Sequence, residues 1–159
     1  CYDHGVRNDI PYTHHRKGIW DKLETMKHKY SMIADKLPFQ EYMIKLKDSK
    51  ICLSPFGMGE LCFRDFESVL TGTIMLRPDQ SNLITSPNIY VEGETYVGCK
   101  LDWSDVEEKI DYILTNFDEL NEKINYNIQK MLKEEYTYEK FGLHYYEIFR
   151  DLEGVTKSE

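Results

Sequence analysis

The stretch SPFGMGELCFRDFESVLTG (residues 54–72) holds two kinds of residue equipped for chemistry. The first is a glycine pair, Gly57 and Gly59, flanking Met58 directly after Pro55 and Phe56. Glycine has no Cβ, so the chain can turn tightly there and approach a ligand closely. A helix starting just beyond would aim its unpaired N–H groups and its partial positive charge at the same spot. That suits a phosphate or the hydroxyls of a sugar. A glycine pair is also the ordinary punctuation of a strand–helix turn, so the loop alone decides nothing.

The second kind is charged. At about 100° per residue, Glu60, Arg64, Glu67 and Thr71 fall within roughly 60° of one another on a helix. Cys62, Phe63, Phe66, Val69 and Leu70 take the other side, which is expected to pack on a sheet. A carboxylate at Glu67 can accept a pair of ribose hydroxyls. A guanidinium at Arg64 can hold a diphosphate by charge-assisted hydrogen bonds. The same stripe also reads as a solvated face with Glu60–Arg64 and Arg64–Glu67 pairs, each worth about 0.2–0.5 kcal/mol.

Other candidates carry less. His14, His15, Arg16 and Lys17 cluster at a helix start and could contribute a phosphate-binding base, or simply form a solvated helix end. Adjacent histidines cannot easily point at one ion and no acid partner is placed, so no metal site is expected. There is no D-x-D motif, and Asp102 and Asp105 read as helix-start residues.

The elements that must position these groups follow from periodicity. Residues 1–15 are polar with Pro11 as a breaker, and a helix is expected from Arg16, with Ile19, Leu23 and Met26 on one face. Residues 30–34 (YSMIA) are expected to form a strand. Pro38 opens a helix with the stripe Phe39, Tyr42, Met43 and Leu46. Residues 51–54 (ICLS) read as a buried strand leading into PFGMG. A helix is expected over 60–71, stopped by Gly72. Strands follow at 73–76 and 96–101, separated by an irregular stretch over 77–95. Ser104 and Glu107 form a capping-box pattern before a helix bearing Val106, Ile110, Ile113 and Leu114. The rest is expected to be helical to about residue 152, broken near Gly142. Short strands alternating with helices predict an α/β fold, a parallel sheet flanked by helices with a helical C-terminal extension. In such folds ligands sit beyond the carboxyl ends of the strands, where PFGMG is expected to lie.

Composition narrows the partners. The 159 residues suit one core-bearing domain. The net charge is −8, with no basic run, which argues against a nucleic-acid partner and an anionic membrane surface. Any anionic ligand must be held by local donors against the global field. The cysteines at 1, 52, 62 and 99 form no C-x-x-C pair. Cys52 and Cys62 lie in apolar settings where cysteine acts as a small hydrophobe, so free thiols and a reducing, cytoplasmic location are expected. No apolar run approaches the roughly 18 residues of a membrane span. A start at CYDHG without Met suggests a fragment.

Taken with TIMLRPD after it, the 54–72 stretch resembles the nucleotide-sugar-binding half of GT-B glycosyltransferases. It is most similar to the group-1-like branch that includes spore-maturation-type enzymes. There the loop runs E-P-F-G, then an apolar turn, then E-A-M-A-C-G. Pro55-Phe56-Gly57 match the first part, and Glu67 through Gly72 the second. The likeness covers about residues 36–116, through NIYVEGETYV and LDWSDVEEKIDYIL. It implies a Rossmann-like donor-binding domain over 1–116 with an acidic helical extension over 117–159. It implies transfer of a sugar from a nucleotide-sugar co-substrate to a glycan, lipid or protein acceptor, without a metal or other cofactor. By matching position, Pro55, Phe56, Gly57, Met58 and Gly59 would contact the donor sugar and diphosphate. Glu67 would bind the ribose, and Arg64 would hold the diphosphate and act catalytically by stabilising it as the leaving group, with Arg16 and Lys17 as further phosphate-side bases. The family's first acid falls on Ser54, so Glu60 could substitute in the catalytic role. GT-B enzymes place the acceptor site on a second, N-terminal domain, so this chain alone is expected to be inactive. The competing expectation is a non-catalytic α/β module that uses its acidic helices as an interaction surface.

Overall fold

Three short strands lie side by side in the order β1 (Ile51–Leu53), β2 (Ile74–Pro78), β3 (Val97–Cys99), all parallel. The computed structural model describes residues 11–57, 59–83, 85 and 88–156; the expectations for Cys1 and Met58 lie outside them. Ile51, Cys52 and Leu53 pair with Ile74, Met75 and Leu76, while Leu76, Arg77 and Pro78 pair with Val97, Gly98 and Cys99. Among the described residues, α1 (Pro11–Met26), α2 (Phe39–Lys47), α3 (Phe63–Thr71), α4 (Val106–Thr115) and α5 (Phe117–Glu134) flank the sheet, and α6 (Tyr138–Thr156) follows them in the chain. The fold is mixed α/β, a small parallel sheet flanked by helices.

The central strand is buried along its whole length, as a strand covered on both faces must be. Side chains alternate across it. Ile74 and Leu76 join Val97 and Cys99 in a core with Ile19 and Met26 of α1, Val106, Ile110 and Ile113 of α4, and Leu120, Ile124 and Ile128 of α5. Burying each such side chain contributes about 1.5–3 kcal/mol. Met75 points the other way, into a smaller cluster with Ile89, Tyr90 and Tyr96. Two glycines meet local demands, one of backbone conformation and one of space. Gly72 ends α3 at φ 72°, in the left-handed region, with its carbonyl accepting from Asn125 at 3.2 Å. Gly98 lies under Glu92, whose carboxylate would stand 2.5 Å from any Cβ added there.

Several elements depart from the periodicity. Pro11 belongs to α1 instead of breaking it. Residues 31–34 are irregular, with Ile33 exposed, so the expected strand is absent there; Tyr30 and Met32 pack against the core, but the run pairs with no strand of the sheet. Helix α4 begins one residue past Asp105, without the expected Ser104–Glu107 box. Glu107 instead pairs with Lys29 at 2.9 Å, and Asp105 accepts the Lys100 N–H at 2.8 Å. The C-terminal helices break at residues 135–137, not at Gly142. Thr137 Oγ1 accepts the Lys140 N–H at 3.2 Å, a capping contact at the start of α6, while Gly142 faces open space.

The largest correction concerns α3. It starts at Phe63, so Gly59 and Glu60 lie in a bend ahead of it. The apolar side does not pack on the sheet: Phe63 is 87% exposed and Leu70 74%. The residues α3 buries are Asp65, Ser68 and Val69.

Candidate functional site

Because the strands are parallel, their carboxyl ends share one edge, and three chain segments meet there. β1 runs out through Ser54, Pro55 and Phe56; β2 ends in Arg77 and Pro78; β3 leads into the turn 100–103. Helix α1 lies across this edge. Arg16 Nε donates to the Phe56 carbonyl at 2.7 Å, and the imidazole of His15 stacks on the Phe56 ring, with centroids 4.9 Å apart and 16° between planes. On its other side His15 meets the Trp103 ring at 5.0 Å, and the Trp103 indole N–H donates to the His15 carbonyl at 3.3 Å. Trp103 is buried and sits at φ 60°, a region that costs a bulky residue about 1–3 kcal/mol. The turn holds it there through the Lys100 carbonyl, at 2.9 Å from its N–H, and through Lys22 Nζ on its own carbonyl at 2.6 Å.

Beneath the edge lies a buried ionic cluster. Asp65 and Arg77 are both fully buried and form an ion pair. The Asp65 carboxylate also accepts from the Ser54 hydroxyl at 2.5 Å, the Tyr90 hydroxyl at 2.7 Å and the Cys62 backbone N–H at 3.1 Å. Arg77 donates to Tyr90 Oη at 3.0 Å and to the Glu60 carbonyl at 2.5 Å, and lies over the rings of Tyr90 and Phe56. Burying two charges is tolerable only when their remaining polar valences are met, and nearly all are here. One exception is Arg77 Nε, which is buried without a partner. Burial and then the neighbouring Asp65 carboxylate push the Tyr90 phenol above its ordinary range.

The cluster changes what the start of α3 can do. Asp65 stands three residues past Cys62 and accepts its N–H, so a carboxylate of the same helix faces the positive helix end. The thiol of Cys62, raised by burial and by Asp65, stays protonated at neutral pH. Cys52 is likewise pushed up, to about 12, by burial. Cys52, Cys62 and Cys99 are free thiols.

The residues singled out in the sequence are distributed as follows. Pro55 is buried, Phe56 half-buried. Gly57 donates its N–H to the Gly59 carbonyl at 3.1 Å; a Cβ on Gly57 would lie 3.9 Å from the Arg16 guanidinium. Gly59 faces open space, and Met58 lies outside the described residues. Glu60 is exposed and meets the cluster only through its backbone carbonyl. Arg64 and Glu67 are half-buried on the side of α3 that faces α2, where the Tyr42 hydroxyl donates to Glu67 at 2.8 Å. Burial and this bond raise the Tyr42 phenol. Lys17 is exposed and paired with Asp21 at 2.8 Å.

The edge therefore unites Arg16 with Phe56 and Gly57, while Glu60 does not share a helix face with Arg64 and Glu67. Sequence reasoning passed over Asp65, Arg77, Tyr90 and Trp103. One signal was available: an arginine in the otherwise apolar TIMLRP must find a buried counter-charge. Among the described residues no group of three or more His, Cys, Asp or Glu is placed to hold a metal, and no helix is long and apolar enough to cross a membrane. In comparisons with known proteins, no family model, curated protein or solved structure matches this chain.

Proposed function

We propose that the carboxyl edge of the sheet is the donor site of a GT-B-type glycosyltransferase, with this chain as its Rossmann-like nucleotide-sugar-binding half. The observation that carries the reading is the junction of Arg16 with the PFG loop, a cation held beside a backbone that has no side chain at Gly57. A guanidinium and bare backbone at the end of a parallel strand suit a diphosphate. In this reading Arg16 stabilises the charge that develops on the leaving diphosphate. Asp65 faces the N-terminus of α3, so the anion depends on Arg16 more than on the helix dipole. Glu67, steadied by Tyr42 through one carboxylate oxygen, takes the ribose hydroxyls. The acceptor and any general base belong to another domain, and no metal takes part.

Calorimetry of the chain with UDP-, GDP- and ADP-sugars tests this. One of the three should bind, and Arg16→Gln and Glu67→Gln should each weaken binding by about tenfold or more, the worth of a charge-assisted hydrogen bond. Failure of all three donors to bind the folded chain would sink the proposal. One observation favours a second reading, a protein-interaction module: Phe63 and Leu70 on α3 and Tyr138 on α6 are largely exposed. Loss of a partner on changing Phe63 and Leu70, in a chain that binds no nucleotide, would select it.

A further inference from the structure

His15 joins three segments that have no covalent reason to stay together. Its ring lies between Phe56 of the glycine loop and Trp103 of the turn after β3, and its own helix contributes Arg16 to the same loop. Both ring nitrogens are buried and neither makes a hydrogen bond of good geometry, although the Leu101 backbone lies within reach of the ring. A neutral imidazole always carries one N–H, and an imidazolium carries two, so charging the ring in place would leave a second donor unmet. The charged groups facing it are also the wrong sign. Arg16 of α1 and Arg77 of β2 both repel a proton on His15, and Asp65 is already paired with Arg77. Of the other charges nearby, Lys22 sits on the Trp103 carbonyl, Lys17 is paired with Asp21, and Asp102 turns back onto the Ser104 N–H at 2.9 Å. Two aromatic faces favour a cation, but they satisfy neither N–H.

We propose that His15 is a proton-operated latch between α1 and the glycine loop: neutral, it stays stacked between Phe56 and Trp103 and closes the carboxyl edge; protonated, it leaves the stack and frees the loop. The supporting chemistry has a definite sign. Burial above all holds the imidazole below its ordinary value of 6.5; the Leu101 backbone draws the other way, and Arg16 and then Arg77 add to the lowering. The unfolded chain therefore takes up the proton first as pH falls. The latch is at full strength above about pH 6.5 and weakens progressively below it. No donor is needed for this, so the latch and the donor reading can fail separately.

The test is an NMR titration of the ligand-free chain from pH 8 to 4.5, in a Trp20→Phe background that leaves Trp103 as the one indole. The His15 ring should titrate below 6.5, and the Trp103 indole N–H and the Phe56 and Gly57 amides should move with the same midpoint. In His15→Phe those three signals should be flat across the range. Should that variant not fold, Arg16→Gln serves instead and should raise the midpoint by removing a repelling cation, while His14→Gln leaves it in place. A His15 midpoint at or above 6.5, or Trp103 and loop signals that do not follow it, would overturn the proposal.

Discussion

Helix α3 presents two faces that contradict the usual rule. Its inner face carries Asp65 and Ser68 with a single valine, and its outer face carries Phe63, Phe66 and Leu70. Periodicity identifies an amphipathic helix but not which side is inside. Here the side is settled by Arg77. A guanidinium fixed within a buried strand must be neutralised, and Asp65 is the carboxylate that reaches it. The exposure of three apolar side chains is a smaller cost than an unpaired charge in the core.

Substitutions on the two faces should differ in the same order. Asp65→Asn or Arg77→Ala leaves the other charge buried without its partner, and should lower the unfolding free energy by about 3–5 kcal/mol, read as a fall in the urea midpoint. Tyr90→Phe removes the hydroxyl that donates to Asp65 and accepts from Arg77, and should cost about 1–3 kcal/mol in the same assay. On the outer face, Phe63→Ser and Leu70→Ser should change stability by no more than about 0.5 kcal/mol, since those side chains are already in water. A large loss from the outer pair, or a small one from Asp65, would reverse the assignment of the faces.

Much of the fold could be read from local pattern. The apolar runs at 51–53 and 74–76 became neighbouring strands, Gly72 ended α3 in the left-handed region, and Ile19 and Met26 of α1 reached the core. These signals are local and repeat at the period of the element they form. The ionic cluster is different: Ser54, Asp65, Arg77 and Tyr90 come from four segments, and no spacing joins them. The expected grouping of Glu60 with Arg64 and Glu67 presumed a helix beginning at 60, whereas the chain bends there with its Glu60 carbonyl on Arg77. Arg16 showed only as part of a basic cluster; that it meets the PFG loop depends on a contact across 40 residues.

The most direct measurement is an amide-resolved NMR titration of the chain with the nucleotide sugar that calorimetry selects. The donor reading predicts saturable shifts centred on Arg16, Phe56, Gly57 and Glu67, moved to about tenfold or more higher donor concentration by Arg16→Gln with the fold intact. Shifts confined to the outer face of α3, or none with any of the three donors, would contradict it.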